Sequence, residues 1–398
     1  MNKQGVKTRQ FFIFAIGYCK NIAVEFSKHN RVLYVNSPLD RFNLWKNKKN
    51  PAIQKRLNII KGKENGLIQI QEKLWNLYPA SISESVSWIK NPKLFDFFNR
   101  INNKRIAVAI QLAMEKLNFK HIILFNDNDI YRSFYLKDFL KPKISIYYSR
   151  DYMLAVDYWK RHGEKLEPLL IAKSDICVAN STYLAAYCKQ YNPHSFYVGQ
   201  GCDLEIFSKE NLEIPKDIIA LKSKPIIGYV GALQTLRLDE KILELIATER
   251  QEYHFVLVGP EDEQFKTSSL HRLSNVFFLG AKHPDELPAY IYSFDVCINP
   301  QILNQVTIGN YPRKIDEYLA MGKPVVATNT KAMEIFADYT YLASNKEEYP
   351  GLIDQALKDN SLILQERRKN FAASHTWENN VTEIYKAILT LKESSSIT

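Results

Sequence analysis

A chain of 398 residues, 46% apolar with 14 Gly and 16 Pro, exceeds one ordinary hydrophobic core and excludes a disordered or repetitive polymer, so two domains are expected. The formal net charge of +10 is uneven: residues 1–200 hold 32 Lys+Arg against 15 Asp+Glu and the remainder 21 against 28, which suggests domains with different partners. Five scattered cysteines argue against a zinc site and for a reducing compartment, and no apolar run reaches the roughly 18 residues of a membrane span, so the expected location is cytoplasmic, including the inner face of the plasma membrane.

In chain order, strands are expected at 11–16 and 32–35. Residues 41–63, RFNLWKNKKNPAIQKRLNIIKGK, then hold eight Lys+Arg and no acid, with Phe42, Leu44 and Trp45 interleaved. Arg41, Trp45, Lys46, Lys48 and Lys49 suit an anionic membrane surface, where each cation contributes about 1 kcal/mol. A solvated loop is the plain alternative; nucleic acid is not expected, because no RNA- or DNA-binding motif accompanies the charge. A strand at 67–70 follows. WIKNPKLFDFFNR (88–100) extends the basic patch into a long helix at roughly 92–117. Further strands are expected at 121–125, 145–148, 176–179 and 196–198, and the polar stretch 205–224, with Pro215, reads as a linker.

From 225 onward strands at 226–230, 255–258, 276–279, 296–298, 324–327 and 340–343 alternate with helices, as in a parallel sheet covered on both faces. One helix, 239–249, sets Ile242, Leu245 and Ile246 behind an Asp239 cap. WENNVTEIYKAILTLK (377–392) is amphipathic and needs a docking surface. The expected architecture is α/β, two doubly wound domains: 1–204, a linker 205–224, 225–376, then a C-terminal helix and tail, 377–398. Ligands of such sheets bind outside the carboxyl ends of the strands, which places the expected site in a cleft between the domains.

Within NYPRKIDEYLAMGKPVVAT (310–328), Pro312 suits a first helical position and Gly322 the residue past the helix end. Ile315 and Leu319 share a face toward a core, while Glu317 points about 200° away from Ile315.

The ordered set PIIGYVGAL (225–233), FVLVGP (255–260), VFFLGAKHPDELPAYIYSFDVCINP (276–300) and PRKIDEYLAMGKPVVAT (312–328) resembles the nucleotide-sugar-binding domain of retaining glycosyltransferases of family 4. HNRVLYVNSP (29–38) and YVGQGCDLEIF (197–207) fit the same family. The resemblance implies a GT-B fold, with the first domain on the acceptor side and the C-terminal helix docking back on it. Glu317 matches the second glutamate of the family's Glu-x7-Glu pair, which implies hydrogen bonds from the ribose hydroxyls of the donor. Gly309 stands where the first, sugar-contacting glutamate is expected, and Asn310 is the nearest polar candidate. The helix amino end with Arg313 and Lys314 is expected to meet a diphosphate. The family's Arg-x5-Lys positions are Ala232 and Leu238 here, leaving Arg237 or Lys241 as substitutes. Gly231 and Gly259 end strands at the expected cleft, and His283 follows a strand where the base is held mainly through backbone.

On the acceptor side, Gly17, Asp127, Asn128 and Asp151 are the candidates, with Asp127 and Asp151 expected to orient or deprotonate an acceptor hydroxyl. Asp127-Asn128-Asp129 also matches a metal-binding Asp-x-Asp pattern, but the resemblance already supplies a metal-free nucleotide site, so neither metal nor cofactor is expected. The implied activity is transfer of a sugar, with retention, from a nucleoside-diphosphate-sugar to a glycan or lipid-linked acceptor, in cell-surface polysaccharide biosynthesis. The alternatives are a catalytically silent sugar-nucleotide-binding subunit and a nucleotide-sugar epimerase of the same build.

Overall fold

The structure, a computed structural model, describes residues 11–15, 20–209 and 212–395. Gly17 and Cys19 lie outside the described residues. The chain divides into two compact units, Met1–Gly199 with Asn380–Thr398, and Gln200–Asn379.

The first unit holds strands β1 (Phe11–Ala15), β2 (Arg31–Val35), β3 (Leu39–Asp40), β4 (Leu67–Gln71), β5 (Leu74–Leu77), β6 (Ile82–Ser83), β7 (Ile122–Asp127), β8 (Ile144–Ser149), β9 (Ile176–Ala179) and β10 (Ser195–Tyr197). Eight of them form one sheet in the order β10-β9-β8-β7-β1-β2-β5-β4, with β3 and β6 paired separately. All neighbours in the large sheet are parallel except the β4–β5 hairpin at its edge. The strand LWNL of β5 is absent from the sequence expectation because four residues with one interior polar group carry too little periodicity. The 26-residue helix Pro92–Leu117 starts behind an Asn91 cap and lays Ile106, Ala107, Ile110 and Ala113 against Leu33, Leu77 and Leu124 of the sheet. Residues 380 onward of the helix Trp377–Ser395 return to this unit, as the amphipathic pattern requires: Asn380 Nδ2 donates to the Val198 and Gly199 carbonyls, and Tyr385 stacks edge-on against Phe26.

The second unit holds β11 (Ile226–Val230), β12 (His254–Val258), β13 (Val276–Gly280), β14 (Val296–Asn299), β15 (Val325–Thr328) and β16 (Tyr341–Ala343). Their order is β13-β12-β11-β14-β15-β16, all parallel. Alternate residues enter different cores, as the twofold strand period demands. Ile226, Val230, Val256, Val258, Val325 and Ala327 pack with Ile315, Tyr318 and Leu319, whereas Ile227, Tyr229, Phe255, Leu257 and Val326 pack with Ile242, Leu243 and Ile246. Residues 205–224 do not read as a free linker: Phe207, Ile218 and Leu221 are buried in the first of these cores. Their apolar spacing was masked by the acids and lysines around them.

Candidate active site

In both sheets the strand order reverses beside the first strand of the unit, between β11 and β14 in one and between β1 and β7 in the other. At such a switch point the connections leave toward opposite faces, and their parting opens a crevice at the carboxyl ends. Gly231, just past β11, and Asp127, the last residue of β7, lie at these two places.

In the second unit, Gly231 follows β11 and Gly259 follows β12, with φ of +147° and +155°. The two backbones approach so closely that a Cβ on Gly259 would lie 1.9 Å from the Gly231 carbonyl oxygen. The loop after β11 is laced on both sides. Gly231 N–H donates to the Val258 carbonyl and Leu233 N–H to that of Pro260, while Ile302 N–H donates to the Arg237 carbonyl and Asp239 N–H to that of Pro300. Asn304 closes a turn in the loop after β14, accepting from the Val306 and Thr307 amides at 2.8 and 3.1 Å and donating to the Leu236 carbonyl at 2.8 Å. Asn310 is buried at the end of that loop.

The helix Arg313–Ala320 follows. Pro312 is its cap (φ −88°, ψ 77°) rather than its first helical residue. Gly322, at φ +72°, terminates it with Gly322 N–H to Leu319 and Lys323 N–H to Tyr318, the pair of bonds of a left-handed stop. Lys314 and Tyr318, four apart on one face, both reach β11. Lys314 Nζ lies 4.0 Å above the Tyr229 ring, bonds its hydroxyl, and occupies the space a Gly231 side chain would need. Tyr318 is fully buried and its hydroxyl accepts from the Val230 amide at 2.9 Å. Asp316, also fully buried, accepts from Cys202 Sγ at 3.2 Å and pairs with His375 Nδ1 at 2.6 Å. Burial and that carboxylate hold the Cys202 thiol well above its usual range.

Glu317 is half-buried, with Arg313 Nη2 3.9 Å from its Oε1. Burial pushes its carboxyl above the ordinary carboxylate range, while Arg313 and Lys314 pull the other way. The structure thus brings Gly231, Gly259 and Lys314 together, with Glu317 three residues along the helix from Lys314. Arg313 is more than half exposed beside them. It does not gather two other candidates. Arg237 is exposed and its carbonyl serves the loop lacing. His283, past the edge strand β13, is exposed, and its ring accepts from the Asp285 amide as the cap of a short turn.

In the first unit, Asp127 ends β7, with Asn128 at φ +58°. Asp127 is buried and its Oδ1 receives Arg150 Nε at 2.6 Å; Asp129 is likewise buried and receives Arg132 at 2.6 and 2.7 Å. Each carboxylate of the Asp-x-Asp pattern is therefore answered by a guanidinium, which explains the pattern without a cation. Asn128 donates to the Asp151 carbonyl at 3.1 Å and accepts from Tyr147, whose hydroxyl also meets the buried Glu167 at 2.6 Å. The Asp151 carboxylate makes no hydrogen bond or ion pair among the described residues. Burial raises Glu167 to about 7, against the hydrogen bonds of Tyr147 and Tyr187.

The basic segment forms the helix Arg41–Lys46, capped by Asp40. Lys46, Lys48 and Lys49 are exposed, and Trp45 is 81% exposed with its ring 6.2 Å from that of Phe42. Arg41 is different: it forks onto Glu84 at 2.7 and 2.9 Å, so its charge is answered within the protein. Among the described residues no helix is long and apolar enough to cross a membrane.

Sequence reasoning missed Tyr229, Tyr318, Asp316, His375 and the two arginines that occupy Asp127 and Asp129. Tyr318, four residues from Lys314, and Arg132, three from Asp129, left local signals; the others meet their partners across tens of residues.

Known proteins resemble this chain at two levels. Residues 224–359 match the family described as glycosyl transferases group 1. A Bacillus subtilis protein assigned as a teichuronic acid biosynthesis glycosyltransferase, TuaH, is 28% identical over 196 residues, 48% of this chain and 49% of that protein, so the match spans about half its length. Among solved structures, sucrose-phosphate synthase of Thermosynechococcus elongatus aligns with a TM-score of 0.62 at 15% identity, covering 97% of this chain and 100% of the other. HepE of Anabaena in complex with UDP-glucose aligns with a TM-score of 0.62 at 14% identity over 96% and 99%. The chain has the GT-B fold, and residues 224–359 of its second unit match the group 1 glycosyltransferase family.

Proposed function

We propose that the protein is a nucleotide-sugar-dependent glycosyltransferase that moves a sugar, with retention, to a glycan or lipid-linked acceptor. The observation that carries this reading is that Lys314, on the helix that also bears Glu317, meets the end of β11 at Gly231, beside Gly259, within the residues that match the group 1 family. Two strand-end glycines leave backbone without side chains where a diphosphate would approach, and Lys314 supplies a cation beside it. Arg313 and Ile315 amides already bond the Tyr311 and Pro312 carbonyls, so side-chain charge carries most of the diphosphate recognition. Glu317 is a carboxylate partly stripped of water, with Arg313 3.9 Å away and no hydrogen-bond donor among the described residues; two ribose hydroxyls would supply what it lacks.

The departing phosphate takes the acceptor proton in this reading, and the protein's share is to position the donor and stabilise diphosphate charge. Asp151, whose carboxylate makes no hydrogen bond or ion pair among the described residues, orients the acceptor hydroxyl. The ion-paired Asp127 and Asp129 support chemistry in which the chain supplies no metal-binding carboxylate pair, so EDTA is expected to leave turnover intact. HepE was solved with UDP-glucose, which supports a uridine diphosphate donor; the assignment of TuaH supports an acceptor in cell-wall polysaccharide synthesis. The exposed Trp45 with Lys46, Lys48 and Lys49 supports residence on an anionic membrane surface.

Calorimetric titration with UDP, GDP and their glucose derivatives tests the donor site. Glu317→Ala is expected to weaken binding of the preferred nucleotide by about 1–3 kcal/mol, the cost of charged hydrogen bonds; unchanged affinity would remove Glu317 from the site. Gly309, where the resemblance places a sugar-contacting glutamate, favours one second reading, a silent nucleotide-sugar-binding subunit. That reading gives nucleotide binding without nucleotide release when acceptors are supplied.

A further inference from the structure

We infer that a groove on the first unit, between the β4–β5 edge hairpin and the helix Pro92–Leu117, holds the hydrocarbon chain of a single phosphate-bearing lipid. It is a cavity of about 490 Å³, lined mainly by apolar side chains that include Leu67, Leu77, Ile101, Val108 and Leu112. This size falls within the range of small-ligand sites.

The helix that walls the groove has two apolar faces. Ile106, Ala107, Ile110 and Ala113 fill the core beneath the sheet. Val108 and Leu112 do not; they stand 46% and 54% exposed on the other side. The open face carries further apolar residues, interrupted by Lys104 and Arg105. Leu94, Phe97, Ile101, Val108 and Leu112 are spaced three, four, seven and four residues apart, which keeps them on one stripe. Leu94 and Phe97 are themselves exposed. That stripe begins near the exposed Trp88, and the preceding Ser85 receives the Phe42 amide at 3.1 Å, at the start of the helix that carries Trp45. The groove and the aromatic patch therefore belong to the same unit. From Ile101 to Lys116 the wall is about 22 Å long, against the roughly 15 Å of one bilayer leaflet, so a full lipid chain has room.

Charge selects the headgroup. Lys104 and Lys116 flank the groove, both exposed and without an ion-pair partner among the described residues. Arg105 is spent on Glu84 and the Ile82 carbonyl. A second copy of the chain using the same face would bring lysine against lysine, whereas a phosphate at either end of the groove meets one lysine favourably, the two standing about 18 Å apart along the helix. The inference rests on the membrane-surface reading and deepens it: the surface binds the bilayer, and the groove selects one anionic lipid from it.

The test uses the full chain and soluble amphiphiles, so that vesicle binding does not enter. Dodecyl phosphate below its micellar concentration is expected to titrate to one site by calorimetry, octyl phosphate at least tenfold more weakly, and inorganic phosphate without saturation. Leu112→Asp and, independently, Ala109→Trp are expected to weaken dodecyl phosphate at least tenfold with melting temperature and UDP-glucose titration unchanged. Lys104→Gln with Lys116→Gln is expected to lose affinity for dodecyl phosphate but not for dodecanol. Dodecyl phosphate binding indifferent to both Leu112→Asp and Ala109→Trp, or inorganic phosphate binding as tightly, overturns the groove. Trp45→Ala separates the two readings: it should lower vesicle binding and leave the dodecyl phosphate titration alone.

Discussion

Glu317 costs the free protein stability at neutral pH. Its folded value is raised above the unfolded one by burial, so its contribution is fully present below the unfolded value and is lost as pH rises through the folded one. Glu317→Gln is therefore expected to raise the apo melting temperature at pH 7–8 while weakening nucleotide binding; a variant that melts lower at pH 7–8 and binds UDP normally would show the carboxylate to be a structural group. Glu167 makes the same argument with a number. Its carboxyl is raised to about 7 from 4.5, burial being the main cause. The stability it provides when protonated is complete below about pH 4.5 and falls by about 3 kcal/mol as pH climbs through 7. Glu167→Gln keeps an acceptor for Tyr147 and should flatten that dependence in urea unfolding measured from pH 4.5 to 8.

The strand-end turn and the helix facing it act as one piece. Gly231 and Gly259 let two loops touch, Tyr318 pins the helix to β11, and Asp316 ties the helix to Cys202 and His375. Gly259→Ala inserts a Cβ 1.9 Å from a carbonyl oxygen at a φ that side chains avoid. It is expected to cost about 1–3 kcal/mol by denaturant unfolding and to weaken UDP binding through the displaced loop. Gly351, in the helix Tyr349–Lys358 with open space around it, is the contrast: Gly351→Ala should be neutral or stabilise by up to about 1 kcal/mol. Equal losses at both positions would mean that the close approach at Gly259 is not what matters there.

For the whole molecule, the basic half is expected to decide where the protein works. Replacing Lys46, Lys48 and Lys49 by Gln removes about 3 kcal/mol of attraction to an anionic surface at low ionic strength, about 1 kcal/mol per cation. Co-sedimentation with phosphatidylserine-containing vesicles should fall accordingly and should fade with salt in the unmodified protein; neutral vesicles should bind little. Binding that ignores both salt and these lysines would refute a surface role for the segment. Arg41 is expected to contribute less than its neighbours because Glu84 already holds it.

The alternation of short apolar runs with amphipathic helices sufficed to read two doubly wound sheets from the sequence, since twofold and 3.6-fold periods are local properties of the chain. Glu317 and Lys314 were legible for the same reason: their places on the helix follow from Ile315 and Leu319. The ordered strand-end motifs likewise carried the group 1 resemblance. What local pattern does not contain is which distant side chain answers a charge. Only the fold sets Arg150 against Asp127 and His375 against Asp316, which makes both carboxylates structural. Strand order is decided there too. Neighbours in a sheet are chosen by long-range pairing, so the switch points that put Gly231 beside Lys314, and Asp127 next to the end of β1, exist only once each sheet has formed.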